Sequence, residues 1–343
     1  MEQVDPKRVS FREFLRAYGE MRRSDMVYAG DGSREGVRAW QRRFLEKLVE
    51  LRGQPLPRVP LNLRTLGRVE AKDHVREHIA YDSVPGTTVT AYVLVPKGLK
   101  KGERRPSVLA LHGHHQQGKE TVAGLRPNTD RSQPADDYGL GALRAGFVTL
   151  CPDWWGWGGR VEAGFKFNDD MCNTKFVAAQ MYGMSLLSLM ISDGEAGLDI
   201  VTSRSDVDPN RIAVMGNSTG GRMTMWLAAF DRRVKAAVCS GCLNCFRERS
   251  LKLSSCGLQF LPGLLRHGDV GEVFSVIAPR PLMIMSGRKD PLLFEEDRAR
   301  MGASIKQAYA AFGAEKNLEL FEHEGGHYLP QGPAMKWLQK ILQ

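Results

Sequence analysis

The 343-residue sequence has no run approaching ~20 consecutive apolar residues, which excludes an ordinary membrane-spanning helix. Its first twenty residues, MEQVDPKRVSFREFLRAYGE, lack the apolar stretch of a secretory leader. The chain as written is therefore expected in the cytoplasm; one trimmed after leader removal would be secreted. Cysteine is scarce. Of the six, Cys151 and Cys172 stand apart, while Cys239, Cys242, Cys245 and Cys256 fall within eighteen positions. No disulfide framework is expected, and the thiols read as reduced. Acidic residues are outnumbered, 39 against 48 Lys and Arg, leaving a net charge of +9. Residues 1–66 hold 14 basic and 9 acidic residues, over half of that excess. Arg and Glu alternate there along helical faces instead of forming a basic block, so neither a nucleic-acid nor a membrane partner is expected. Repeats and low-complexity tracts are absent. With 42% hydrophobic and 25% charged residues, the composition excludes disordered, collagen-like and bare coiled-coil chains.

What is present divides into two parts. Residues 1–66 read as a helical arm. Ser10 and Glu13 have capping-box spacing, and Phe14, Leu15, Tyr18 and Met21 share a helical face. A second helix runs from near Ser33 through Val37, Trp40, Phe44, Leu48 and Leu51 to Gly53, followed by a Pro-rich connector at 54–61. Residues 67–343 read as one catalytic α/β domain. Alternating stretches at 74–83 and 88–96 suggest antiparallel strands. Buried-strand runs follow at 107–111, 147–152, 212–216, 234–239, 281–286 and 317–321. Between them lie helices near 136–145, 179–203, 220–232, 294–312 and 332–342. Such alternation predicts a mostly parallel sheet with helices on both faces and ligands at the carboxyl ends of its strands.

The chemistry is expected at those ends. Gly216-Asn-Ser218-Thr-Gly220 follows a strand run and opens a helix, the G-x-S-x-G context that exposes a serine on a strained turn. A serine hydroxyl needs a base. His327, in the loop Gly325-Gly326-His327-Tyr-Leu-Pro330, is the leading candidate, with His323 as the runner-up. Asp290, in the first loop past the 281–286 strand, is the acid expected to orient it. Asp297 and Glu295 fall inside the next helix and are weaker choices. The chain order Ser218, Asp290, His327 is the order this architecture uses. The backbone N–H groups of His114, after the 107–111 strand, and of Thr219 are the expected oxyanion donors.

Several motifs carry competing readings. His323-Glu-Gly-Gly-His327 matches H-E-x-x-H, but two glycines, a following proline and a preceding strand argue against the helix a zinc site needs. His112, His114 and His115 could ligate a metal, yet an extended segment need not bring them to a third ligand. Cys239-Ser-Gly-Cys242 lacks the second ligand pair of a structural zinc site, so core or loop thiols are expected. Trp154, Trp155 and Trp157, in Asp153-Trp-Trp-Gly-Trp-Gly-Gly-Arg160, are candidate pocket residues or loop-pinning aromatics.

HGHHQQGKE, PDWWGWGGR, VDPNRIAVMGNSTGGR, SGRKDP and HEGGHYLP occur in that order across residues 107–330. With these pieces the chain resembles the α/β-hydrolase superfamily, and within it the acetyl xylan esterase and dienelactone-hydrolase-like branch. Dienelactone hydrolases use a cysteine nucleophile, so Ser218 favours the esterase side. The resemblance implies a serine esterase acting on esters of small molecules or acetylated carbohydrates. Hydrolysis through an acyl-enzyme needs no cofactor or metal. Arg247, Glu248, Arg249 and Lys252 among the leucines of 243–270, with three bulky indoles near the site, point to short-acyl esters. Alternatives are a prolyl-oligopeptidase-like peptidase, for whose propeller domain the chain has no room, and a non-catalytic binding module. The sequence leaves a homo-oligomer open.

Overall fold

A computed structural model describes residues 6–22, 24–28, 32–53, 56–125, 136–162, 171–252 and 256–342. Its strands are β1 (Arg64–Glu70), β2 (His74–Asp82), β3 (Thr88–Pro96), β4 (Arg105–Leu111), β5 (Val148–Pro152), β6 (Val207–Asn217), β7 (Ala236–Ser240), β8 (Leu282–Gly287) and β9 (Leu318–His323). They form one sheet in the order β1-β2-β3-β5-β4-β6-β7-β8-β9. The pairs from β1 to β5 are antiparallel and the rest parallel, which places the antiparallel hairpin where the alternating stretches predict it. The expected α/β-hydrolase architecture is present.

The helices are α1 (Phe11–Met21), α2 (Arg34–Arg52), α3 (Lys119–Val122), α4 (Tyr138–Arg144), α5 (Met171–Met181), α6 (Leu186–Ser203), α7 (Thr219–Phe230), α8 (Phe246–Lys252), α9 (Val270–Ile277), α10 (Glu295–Ala311) and α11 (Gln331–Leu342). Side chains of a strand alternate between faces. Leu109, Leu111, Ile212 and Val214 therefore join one apolar core with residues of α6, α7, α9 and α10. Val108, Ala110, Ala213 and Met215 join a second core with Tyr138, Ala142, Leu338 and Leu342 of α4 and α11. Both faces are covered, as a parallel sheet requires.

Three local findings differ from the sequence reading. The stretch 179–203 is two helices, α5 and α6, broken at 182–185, where Ser185 takes extended angles (φ −87°, ψ 121°) as the N-cap of α6. β1 begins at Arg64, inside the segment read as arm, and joins the sheet edge. Ser10 Oγ accepts from the Glu13 N–H at 3.4 Å, but the Glu13 carboxylate pairs with Arg16 at 2.6 Å, so only half a capping box forms. Helix α2 buries Val37, Trp40, Phe44 and Leu48 against the body. The Gln41 amide there donates to the carbonyls of Ser275 and Ala278, both at 2.9 Å. By contrast α1 has no buried residue. No helix of the described residues is long and apolar enough to cross a membrane.

Candidate active site

Strand β6 ends at Asn217 and α7 begins at Thr219, leaving a single residue to make the turn. Ser218 makes it with φ 58° and ψ −122°, a left-handed conformation that strains any residue but glycine. Two backbone bonds hold it there: Ser218 N–H donates to the Ser240 carbonyl at 2.9 Å, and Ser218 C=O accepts from Arg222 N–H at 2.9 Å. The turn is too tight for larger neighbours. A Cβ on Gly220 would strike the Leu111 carbonyl, and one on Gly216 would strike the Gly220 backbone. Ser218 remains half-buried at the head of α7, whose N-terminal dipole favours negative charge.

Asp290 lies three residues beyond β8 and is buried. Its Oδ1 accepts from Leu292 N–H at 2.9 Å, and its Oδ2 lies 2.7 Å from His327 Nδ1. A carboxylate accepts only, so Nδ1 carries a proton, and Nε2 is the nitrogen that bears the lone pair in the neutral ring. The loop after β9 folds back across β8: Lys289 N–H donates to the Gly325 carbonyl at 3.0 Å. It then reaches β7, where Ser240 Oγ donates to the Tyr328 carbonyl at 3.0 Å. The His327 ring packs on Gly241, where an added Cβ would come within 2.9 Å of His327 Cε1. Ser240 and Gly241 thus bring the Ser218 turn and the His327 loop together. Sequence reasoning missed both, because their contacts run through backbone atoms of segments far away in the chain.

The competing acids and bases lie elsewhere. Asp297 accepts from Cys245 Sγ at 3.0 Å and pairs with Arg300 at 3.0 Å, while Glu295 is exposed. The His323 ring lies 4.7 Å from that of Tyr328, its Nδ1 accepts from Gly325 N–H at 3.3 Å, and burial lowers its pKa. The two histidines of H-E-x-x-H therefore have different partners, on a strand end and a bend, not on one helical face. Hydrolysis is accordingly expected to persist after dialysis against EDTA or phenanthroline. Initial rates before and after test this, and activity lost to chelation and restored by zinc would reinstate the metalloenzyme reading.

Thr219 is the first residue of α7, so its N–H has no acceptor within the helix. Across from it, His115 N–H is bonded to the Gly113 carbonyl at 2.9 Å, and the His114 ring meets Thr219 Oγ1, 3.0 Å from Nδ1. The loops carrying the two expected oxyanion donors are therefore in contact. His112 is a structural group: Nδ1 faces the Gly113 carbonyl at 2.7 Å and Nε2 accepts from Trp154 N–H at 3.1 Å. Burial pushes its pKa down to about 4, so it is neutral at pH 7.

The tryptophans divide. Trp154 lies in the core, Trp155 stacks under Arg160 at 3.9 Å, and Trp157 packs edge-on to His114 at 5.1 Å. Of the three rings, Trp157 is the one packed on His114, while Trp154 meets the same loop through His112. The whole loop is pinned by Asp153, buried and paired with Lys119 Nζ at 2.5 Å. Asp153 also accepts from the N–H groups of Lys119 (2.8 Å) and Gly159 (2.9 Å) and from Thr90 Oγ1 (2.8 Å). Cys239 and Cys242 are buried, and none of the six cysteines is in a disulfide.

The fold has known counterparts. Over 305 residues the chain is 31% identical to YtaP of Bacillus subtilis (strain 168), described as a hydrolase, covering 87% of this chain and 98% of YtaP. A Bacteroides fragilis crystal structure given as an acetyl xylan esterase aligns with a TM-score of 0.78 at 18% identity, over 94% of this chain and 87% of that one. A Solibacter usitatus glucuronoyl esterase aligns with a TM-score of 0.62 at 13% identity, over 89% of this chain and 94% of that one. At such identities the structural likeness speaks for the fold. The match to the abhydrolase family model runs over residues 1–328, nearly the whole chain, and with the YtaP relationship it shows that this chain belongs to the abhydrolase family of α/β-hydrolases.

Proposed function

We propose that the protein is a serine carboxylic-ester hydrolase. The reading rests on one conjunction: a strained serine at a strand-to-helix turn, and a histidine whose Nδ1 is held by a buried carboxylate on the loop that crosses toward it. Ser218 Oγ attacks the ester carbonyl carbon while His327 Nε2 takes its proton. Asp290 orients the ring and stabilises the imidazolium that forms. The N–H groups of His114 and Thr219 receive the oxyanion. Collapse of the tetrahedral intermediate breaks the bond to the alkoxy oxygen, and His327 delivers the proton to the departing alcohol. Water, deprotonated by the same nitrogen, then cleaves the acyl-enzyme. A fluorophosphonate probe tests the reading against a non-catalytic binding module. One adduct on the Ser218 peptide, seen by mass spectrometry, is expected; absence of labelling overturns the enzymatic reading.

The substrate is proposed to be a short-acyl ester, carried on a carbohydrate or another small alcohol. Two of the structures similar in fold are named for esterases of sugar polymers or sugar acids. The segment 243–270 after β7 holds the apolar side chains from which a lipid-binding lid would be built. Leu243, Phe246, Leu258, Leu261 and Leu264 are instead all in the core. A methylene contributes ~0.8 kcal/mol only where a surface receives it. Acetyl to butyryl esters should therefore have higher kcat/KM than octanoyl and longer ones, measured on p-nitrophenyl esters below their critical micelle concentrations. A monotonic rise through octanoate overturns the short-acyl reading.

A further inference from the structure

His114 does converge with other ligands, from parts of the chain its own segment gives no hint of. Cys172 lies in the first turn of α5, and Cys256 precedes the 3-10 turn Gly257–Gln259. One imidazole nitrogen of His114 and the Sγ atoms of Cys172 and Cys256 all lie within 4.8 Å of one another. Each of the three is held from outside the cluster. The thiol-bearing segments are joined by Gly257 N–H, which donates to Asn173 Oδ1 at 2.8 Å, and by Phe176, which occupies the space where a Gly257 Cβ would stand. The His114 ring is held by Thr219 Oγ1, 3.0 Å from Nδ1 and 3.4 Å from Nε2, and by the edge contact with Trp157. A hydroxyl beside the ring supplies the kind of outer-shell contact that orients a metal-binding histidine.

The donor set selects the ion. Two thiolates and an imidazole suit borderline-soft d10 cations and not magnesium or calcium. In a tetrahedral zinc site with Zn–S about 2.3 Å and Zn–N about 2.0 Å, ligand atoms stand about 3.5–3.8 Å apart. Side-chain rotations of about 1 Å close the difference. His114 is exposed and Cys256 half-buried, so the fourth position opens to solvent.

We propose that His114, Cys172 and Cys256 form a binding site for a zinc-class divalent cation, with water in the fourth position. Binding replaces two S–H bonds by two metal–sulfur bonds and adds the imidazole lone pair; both protons go to solvent and no redox change occurs. The ligands include none of Ser218, Asp290 and His327, so the ion is no part of hydrolysis. Its place beside Thr219 sets it against the proposed oxyanion donors, so an occupied site lowers turnover. That last consequence alone rests on the esterase reading.

The test titrates reduced, metal-stripped full-length protein with Cd²⁺ and follows the ultraviolet thiolate-to-cadmium charge-transfer band. The band is expected to saturate at one equivalent, and Cys172→Ser and Cys256→Ser should each weaken binding by at least ~10-fold. Cys242→Ser, at a buried cysteine outside the three-residue cluster, should leave the band unchanged. Cys256 is half-buried and accepts serine readily, so its variant suffices if Cys172→Ser misfolds. A band that titrates with undiminished affinity in the Cys256 variant, disappears with Cys242→Ser, never saturates, or does not form at all overturns the site. Hydrolysis of p-nitrophenyl acetate, assayed in the same titration, should fall as the band grows. A band without inhibition removes the inhibitory consequence and leaves the site standing; no hydrolysis in the metal-free protein overturns the esterase reading, which the band does not depend on.

Discussion

Replacing Ser218 with alanine is expected to lower kcat by at least ~10³-fold while the protein stays folded. The substitution removes one half-exposed oxygen and keeps the Cβ, so the strained turn and its two backbone bonds are untouched. His327→Ala should match it in severity, because an unassisted hydroxyl is nearly as inert as none. The double variant should be no worse than either single one, the signature of groups that act as a unit. His323→Ala, whose ring is engaged with Tyr328, should keep most of its activity. Turnover of p-nitrophenyl acetate, with unfolding midpoints to show that each variant folds, decides the matter. Near-normal turnover in Ser218→Ala would move the nucleophile elsewhere, and the opposite ranking of the histidines would move the base to His323.

Asp153→Ala is expected to destabilise the fold by ~3–5 kcal/mol, the usual result of leaving one member of a buried ion pair alone. The Lys119 ammonium would keep only Thr90 Oγ1 at 3.4 Å and the Tyr92 ring at 5.2 Å. The backbone N–H groups of Lys119 and Gly159 would also lose their acceptor. Replacing both partners, as in Lys119→Met with Asp153→Leu, should recover a substantial part of the loss, since no charge is then stranded. Urea midpoints of the wild type, the single variant and the double variant measure this. An unchanged midpoint for Asp153→Ala would mean that the pair contributes no stability.

Local features of this protein were legible in the sequence, and features made by distant segments were not. The elbow could be read because strand, turn and helix are adjacent and Gly216 and Gly220 mark its tight packing. Asp290 and His327 could be singled out as candidates because each follows a recognisable strand. β1 escaped because all seven of its residues are exposed, so it has no apolar alternation to detect. Lys119 and Asp153 stand 34 positions apart, and neither shows in the sequence that it is buried. Trp154 read as a candidate pocket residue because composition cannot say which of three indoles turn inward, as Trp154 and Trp157 both do.

Ser240 offers its carbonyl to the turn of the proposed nucleophile and its hydroxyl to the loop that carries the proposed base. The two halves of the site are therefore suspended from one mounting point, at the tip of a strand with neighbours on both sides. Vibration of that tip is a common-mode displacement: it carries both groups together and leaves their separation nearly constant. Independent mounts would add their errors instead. Alignment here depends on the short span from one residue to each group, and not on the rigidity of the nine-stranded sheet as a whole.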